Sequence, residues 1–133
     1  RMVSVKKMSD GRYTIVLQGL RRCVYEEQRV ATSYRQAQLT LLPEDNSETV
    51  DSSLLVHLAD AAKEYLLSQK ADDQYQLISS GKMSDRVLVN SLSAGLDFSP
   101  DEKQFLLESE TLTQQAGRLV DLIRFKLPTP AQG

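Results

Sequence analysis

The sequence predicts an α+β protein in which a small antiparallel β-sheet or partial barrel lobe is followed by an α-helical bundle lobe. Three observations carry this. Apolar residues alternate with polar ones as far as Leu42, and beyond Pro43 they recur every three or four residues. Asp10-Gly11 stands between two alternating runs, a strong short-range sign of a hairpin. Ser99-Pro100-Asp101-Glu102 has the composition of a capped helix start. Strands gathered at one end and helices at the other argue against a parallel sheet of alternating elements.

The first strand is expected where Val3 and Val5 alternate with Ser4 and Lys6. A type I′ turn at Asp10-Gly11, with positive φ at both central residues, would return the chain. Tyr13, Ile15 and Leu17 then share one face, and Thr14, Val16 and Gln18 the other. Gly19 interrupts the pattern as a bulge or barrel corner would. The spacing predicts a strand over 20–28 and another over 34–42, the latter with Ala37, Leu39 and Leu41 on one face. Residues 43–47, Pro-Glu-Asp-Asn-Ser, read as a turn and linker.

Beyond the linker, Leu54, Leu58, Ala61, Ala62, Tyr65 and Leu66 mark an amphipathic helix. Tyr75 and Ile78 suggest a short second one ending near Gly81. Ser84 is placed to cap a third, which would bury Val87, Leu88 and Leu92 and stop at Gly95. Ser99 and Glu102 form a capping box, and Thr111 and Gln114 repeat its spacing. The last helix presents Leu112, Ala116, Leu119, Val120, Ile123 and Leu127 as one stripe, and Pro128 ends it. Thr129 to Gly133 reads as a frayed tail. The expected division is therefore a β lobe over 1–45, incomplete at its start, and a helical lobe over 46–133. The chain opens at Arg1 with a strand pattern immediately after it, so a preceding segment is expected to be missing.

Charge is unevenly spread. Residues 1–45 hold eight Lys and Arg against five Asp and Glu, and residues 46–133 hold eight against thirteen. A formal net charge of −2 gives no overall field favouring nucleic acid or an anionic membrane. No apolar run approaches the roughly 18 residues of a membrane span, and the start lacks a signal-peptide pattern. Cys23 is the single cysteine, so an internal disulfide is excluded and a reducing, cytoplasmic setting is the expectation.

The search for reactive groups nominates no catalytic, cofactor-binding or metal-binding residue. His57, the one histidine, lies between Val56 and Leu58 on a helix, where a packed or half-exposed side chain is the ordinary reading. One His and one Cys do not fill a nitrogen and sulfur metal site. Asp72-Asp73 and Asp101-Glu102 fall at helix starts, where the helix dipole accounts for them. Gly81-Lys82-Met83 lacks the first Gly and the Ser or Thr of a phosphate loop. Arg21-Arg22 with Tyr13 and Tyr25 would suit single-stranded nucleic acid on a small barrel. The plainer reading is a solvated strand face with the tyrosines partly in the core.

Taken in order, several segments resemble the amino-terminal, substrate-binding domain of Lon-type ATP-dependent proteases, also found in stand-alone LON-domain proteins. They are the run from Asp10-Gly11-Arg12-Tyr13 through Gly19-Leu20-Arg21-Arg22, then Tyr34-Arg35-Gln36-Ala37 with Leu39. Ser84-Asp85-Arg86-Val87-Leu88 and Glu102-Lys103-Gln104-Phe105-Leu106-Leu107-Glu108 follow. Gly117-Arg118-Leu119 comes next, its Arg-Leu pair standing further on than is usual. The resemblance implies a twisted barrel-like lobe joined to a helical bundle and a non-catalytic role in gripping unfolded or damaged polypeptide, or a partner protein. An exposed sheet edge or an apolar groove between the lobes would serve. No cofactor, membrane or nucleic-acid partner is implied. The ending at Pro128-Thr129-Pro130 favours a stand-alone LON-domain protein. The alternative is an amino-terminal fragment of a Lon serine protease whose ATPase and Ser-Lys peptidase parts lie elsewhere. A further rival is a nucleic-acid or small-ligand binder of similar shape. Missing leading strands would leave a sheet edge uncovered, so self-association is also expected.

Overall fold

The computed structural model describes residues 1–44 and 48–128. The middle of the expected linker and the tail beyond Pro128 lie outside the described residues. The chain divides into two units, Arg1–Glu44 and Asp45–Gly133.

The first unit contains four strands in two separate hairpins. Strand β1 (Met2–Lys7) pairs antiparallel with β2 (Tyr13–Leu17). Strand β3 (Cys23–Gln28) pairs antiparallel with β4 (Gln36–Leu41). Each sheet has two strands. The β1–β2 connection is not the expected type I′ turn, because only Gly11 has a positive φ, at +87°. Met8 N–H donates to the Arg12 carbonyl at 2.6 Å, and Gly11 N–H to the Met8 carbonyl at 3.1 Å. This is a three-residue loop closed by a left-handed glycine. The Asp10 carboxylate accepts from the Arg12 backbone N–H and from its Nε, at 3.1 and 2.6 Å.

The irregularity expected at Gly19 lies elsewhere. Pairing in β1 shifts between Met2 and Ser4, which makes Val3 a bulge, and Gly19 sits in the connection between the hairpins. Strand β3 opens at Cys23, not at Leu20. Arg21 and Arg22 instead close the base of the second hairpin: Arg21 Nε donates to the Leu42 carbonyl, and the Arg22 carbonyl accepts from Leu42 N–H, both at 3.0 Å.

The second unit holds five helices: α1 (Ser52–Ser68), α2 (Asp72–Ser79), α3 (Asp85–Gly95), α4 (Pro100–Leu107) and α5 (Leu112–Lys126). Its centre is the contact of α1 with α5, where Leu58, Ala62, Leu119 and Ile123 are fully buried. Helix α2 packs on α1, while α3 and α4 pack on α5. In α3 the buried face is Leu88, Val89 and Leu92; Val87, expected inside, is half exposed and Val89 takes its place. Burial of side chains of this size contributes about 2 kcal/mol each, so this unit carries its own core.

The helix ends are closed as their residues dictate. Ser99 Oγ accepts from Glu102 N–H at 3.2 Å, and Glu102 Oε1 accepts from Ser99 N–H at 2.8 Å, a complete capping box. Thr111 Oγ1 accepts from Gln114 N–H at 3.0 Å, but the Gln114 side chain reaches one residue further back, to Glu110 N–H. At the end of α1, Ala71 N–H returns to the Leu66 carbonyl and Lys70 N–H to the Leu67 carbonyl. That is a Schellman closure with Lys70 at φ +56° where glycine is usual.

Two side chains bind α4 to α5. Lys126 Nζ meets Glu102 Oε1 at 3.1 Å, at the start of α4. At its other end, Arg118 donates to the Phe105 carbonyl at 2.7 Å, and its guanidinium lies 4.2 Å from the centre of the Phe105 ring. A third brace is longer in sequence. Glu48 Oε1 accepts from Leu112 N–H, the first of α5, at 2.8 Å. Glu48 Oε2 pairs with Arg86 at 3.2 Å, and Asp85 Oδ2 accepts from Val50 N–H at 2.9 Å. Residues 48–50 are thereby fastened to the starts of α3 and α5.

Removing the Glu48 carboxylate strips a charged acceptor from a helix start and from a half-buried arginine. Glu48→Ala is expected to cost about 2 kcal/mol in urea denaturation of the helical unit; an unchanged midpoint would refute the brace. The Glu102 carboxyl is held below its ordinary value, chiefly by the Ser99 N–H and then by Lys126. The unfolded chain therefore takes up that proton first as pH falls. The stabilisation is complete above the unfolded-state pKa and disappears as pH drops through the folded one. Glu102→Gln should flatten, though not abolish, the acid side of the stability profile, since Asp51 is lowered as well by the Ser53 hydroxyl and nearby backbone N–H groups. Equal acid slopes for the two proteins would show that the Glu102 charge contributes nothing.

Candidate functional site

The strand alternation and the pairing register together sort the hairpin side chains by face. Residues directly opposite in an antiparallel pair lie on the same side. In the first hairpin Met2 faces Leu17, Val5 faces Ile15 and Lys7 faces Tyr13. One side is thus Met2, Val5, Tyr13, Ile15 and Leu17, bordered by Lys7, whose Nζ lies 5.9 Å from the Tyr13 ring centre. The other side carries Ser4, Lys6, Thr14 and Val16. In the second hairpin Cys23 faces Leu41, Tyr25 faces Leu39 and Glu27 faces Ala37. That side is apolar except at the turn end, where Arg35 grips Glu27 through two nitrogens. This pair lowers the Glu27 pKa and raises that of Arg35. The reverse side is Val24, Glu26, Gln28, Gln36, Gln38 and Thr40.

Both hairpins are therefore amphipathic, and neither apolar face is covered by other residues of its own unit. The five apolar side chains of the first are 44–65% exposed, and Tyr25, Leu39 and Leu41 of the second are more than half exposed. The expectation that Tyr13 and Tyr25 sit partly in a core is overturned. They stand on different sheets and both face solvent. A ribbon of two strands has no interior, so alternation alone buries nothing. Arg21 and Arg22 do not join the tyrosines on one platform, since they close the base of the second hairpin.

The groups weighed for chemistry are dispersed. His57 is exposed on α1, and Cys23 is a free, exposed thiol on β3. Asp72 and Asp73 occupy the first turn of α2, and Asp101 and Glu102 that of α4. Gly81, at φ +65°, follows the end of α2 and does not lead from a strand into a helix. Among the described residues no three His, Cys, Asp or Glu side chains gather as metal ligands. No helix among them is long and apolar enough to cross a membrane.

An apolar hollow belongs to the helical unit. Ile78, Met83, Leu88, Leu92 and Leu96 line an apolar depression of about 180 Å³ between α2 and α3, with exposed Leu77 at its margin. It is smaller than the roughly 300 Å³ at which small-molecule sites begin, and suits a single side chain.

The family model of the ATP-dependent protease La (LON) substrate-binding domain matches residues 1–124. A Lon protease of Cytophaga hutchinsonii is 28% identical over 120 residues, which is 87% of this chain and 15% of that protein. The chain thus spans about one seventh of that relative's length. Among solved structures, the N terminal domain of Mycobacterium avium complex Lon protease superposes with a TM-score of 0.74 at 18% identity. It covers 96% of this chain and 68% of that one, a likeness of fold.

Proposed function

The chain belongs to the family of LON substrate-binding domains, and from that membership we propose that it acts by holding unfolded or damaged polypeptide, or a partner protein, on its hairpins. The family's substrate-binding domain is non-catalytic, and the ATPase and peptidase parts of such proteases are not within these 133 residues. The observation that carries the reading is the pair of uncovered apolar hairpin faces. An extended segment has what such faces lack: backbone N–H and C=O groups for an open strand edge, and side chains that alternate with the same period.

Two settings are compatible with this role. One is a stand-alone LON-domain protein in the cytoplasm, a reducing setting with which the free Cys23 thiol agrees. The other is the amino-terminal part of an ATP-dependent Lon protease, supported by the match to the Cytophaga protein. The full reading frame decides between them: a phosphate loop and a Ser-Lys dyad downstream would select the second. The same uncovered strands offer a second copy a place to dock, and self-association through a sheet edge is part of the proposal.

Titration with an unfolded model polypeptide is expected to give saturable binding in the micromolar range, weakened at least about tenfold by Ile15→Asp together with Leu39→Asp. Both residues are exposed, so helical content and the urea midpoint of the helical unit should not move. Absence of binding at high micromolar concentration, or an intact affinity in the double variant, would overturn the reading. Light scattering across a concentration series should show association of the chain, and a monomer throughout would remove that part.

A further inference from the structure

We propose that Asp10-Gly11 is a modification site, where the backbone rearranges to run through the Asp10 side-chain carboxyl, and that Arg12 is the brake on that change.

Of the ten aspartates in the sequence, only Asp10 is followed by glycine. The reaction needs a carboxyl beside a backbone nitrogen that no neighbouring side chain shields. The Gly11 nitrogen attacks Asp10 Cγ and gives up its proton, a carboxyl oxygen leaves as water, and a succinimide ring closes. Water then adds to the ring. Breaking the new bond from nitrogen to Cγ restores aspartate. Breaking the old bond from nitrogen to the Asp10 main-chain carbonyl carbon leaves isoaspartate, with the main-chain carboxylate set free. The water released in closing the ring equals the water consumed in opening it, so solvent is the only other participant.

The loop both permits and restrains this. Gly11 has a φ of +87°, and a Cβ built on it would meet nothing within 4 Å, so no packed group crowds the reacting bond. Two contacts oppose the reaction. The Gly11 N–H, whose proton must leave, donates to the Met8 carbonyl at 3.1 Å. The Asp10 carboxylate, which must lose an oxygen, accepts from the Arg12 backbone N–H and from Arg12 Nε at 3.1 and 2.6 Å. The Arg12 and Asp10 side chains are 83% and 47% exposed. An ion pair so placed is weak, so it slows the rearrangement without forbidding it. The chemistry is internal to the loop and does not depend on what lies along either strand.

Isoaspartate adds a backbone carbon to a tight three-residue loop and leaves its carboxylate attached directly to Cα. The grip of Arg12 and the closure of Met8 N–H on the Arg12 carbonyl are then lost, and the β1–β2 register loses its anchor. On the polypeptide-binding reading above, the change disables the first hairpin, while the helical unit keeps its own core.

The test ages the whole chain in warm, mildly acidic buffer and maps its peptides. A product of unchanged mass and altered retention is expected at residues 10–11, methylated by a protein isoaspartate methyltransferase, while the peptides of the other aspartates lag behind. Arg12→Ala should raise the rate roughly twofold to fivefold, with Arg12→Lys between. In urea the parent chain and Arg12→Ala should age equally fast, because the brake exists only in the folded loop. Asp10→Glu, whose longer side chain would have to close a larger ring, should give no product. Absence of the isomer under conditions that convert a short Asp-Gly peptide would overturn the proposal. Equal rates for the folded parent chain and Arg12→Ala would remove the brake. Aged protein is expected to bind unfolded polypeptide at least about twofold more weakly than fresh protein. Equal binding would overturn the assigned consequence. Failure of fresh and aged protein alike to bind would remove the polypeptide-binding reading and leave the modification site standing.

Discussion

A ribbon of two antiparallel strands has two faces and no inside. Whatever apolar residues alternate along it stay wet until something else lies against them. That constraint governs the first 44 residues. Their hydrogen-bonded ladders are regular apart from the bulge at Val3 and their side chains are well sorted by face, yet Met2, Val5, Ile15, Leu17, Leu39 and Leu41 all remain largely exposed. Scattered surface leucines mean little, but contiguous apolar faces rimmed by charge mark places where other molecules dock. The functional reading follows from this imbalance more than from any single residue.

The helical unit shows the opposite economy. Its apolar stripes meet one another, its helix starts are capped, and charged side chains fasten the ends of neighbouring helices. Glu48 and Asp85 draw residues 48–50 onto that scaffold. The small hollow beside Leu77 is a place where its apolar surface opens outward.

Much of this was legible in the order of residues. The change from period two to a period near 3.6 marks where strands give way to helices, and the buried stripe of α5 is the one its spacing predicts, except that Leu127 caps the helix and is only partly buried. The Ser99–Glu102 box forms as its composition requires. Other features were not legible, for physical reasons. Asp-Gly announces a reversal but leaves the loop length open, so a three-residue loop replaced the expected type I′ turn. Alternation tells which residues share a face but not whether the face is covered, which is why Tyr13 and Tyr25 were misplaced. Val87 and Val89 are equally apolar, and only the helix's orientation against α5 decides between them. Glu48 lies 64 residues from the N–H it accepts from, and no local pattern singles it out.

The left-handed glycine after Asp10 reaches further than its own loop. Side chains along a strand have a phase of two, so lengthening or shortening the reversal by one residue would slide β1 by half a period against β2. Val5 would then trade sides with Lys6, and grease and charge would be shuffled across both surfaces. One backbone torsion at a position with no side chain keeps the two chemistries apart.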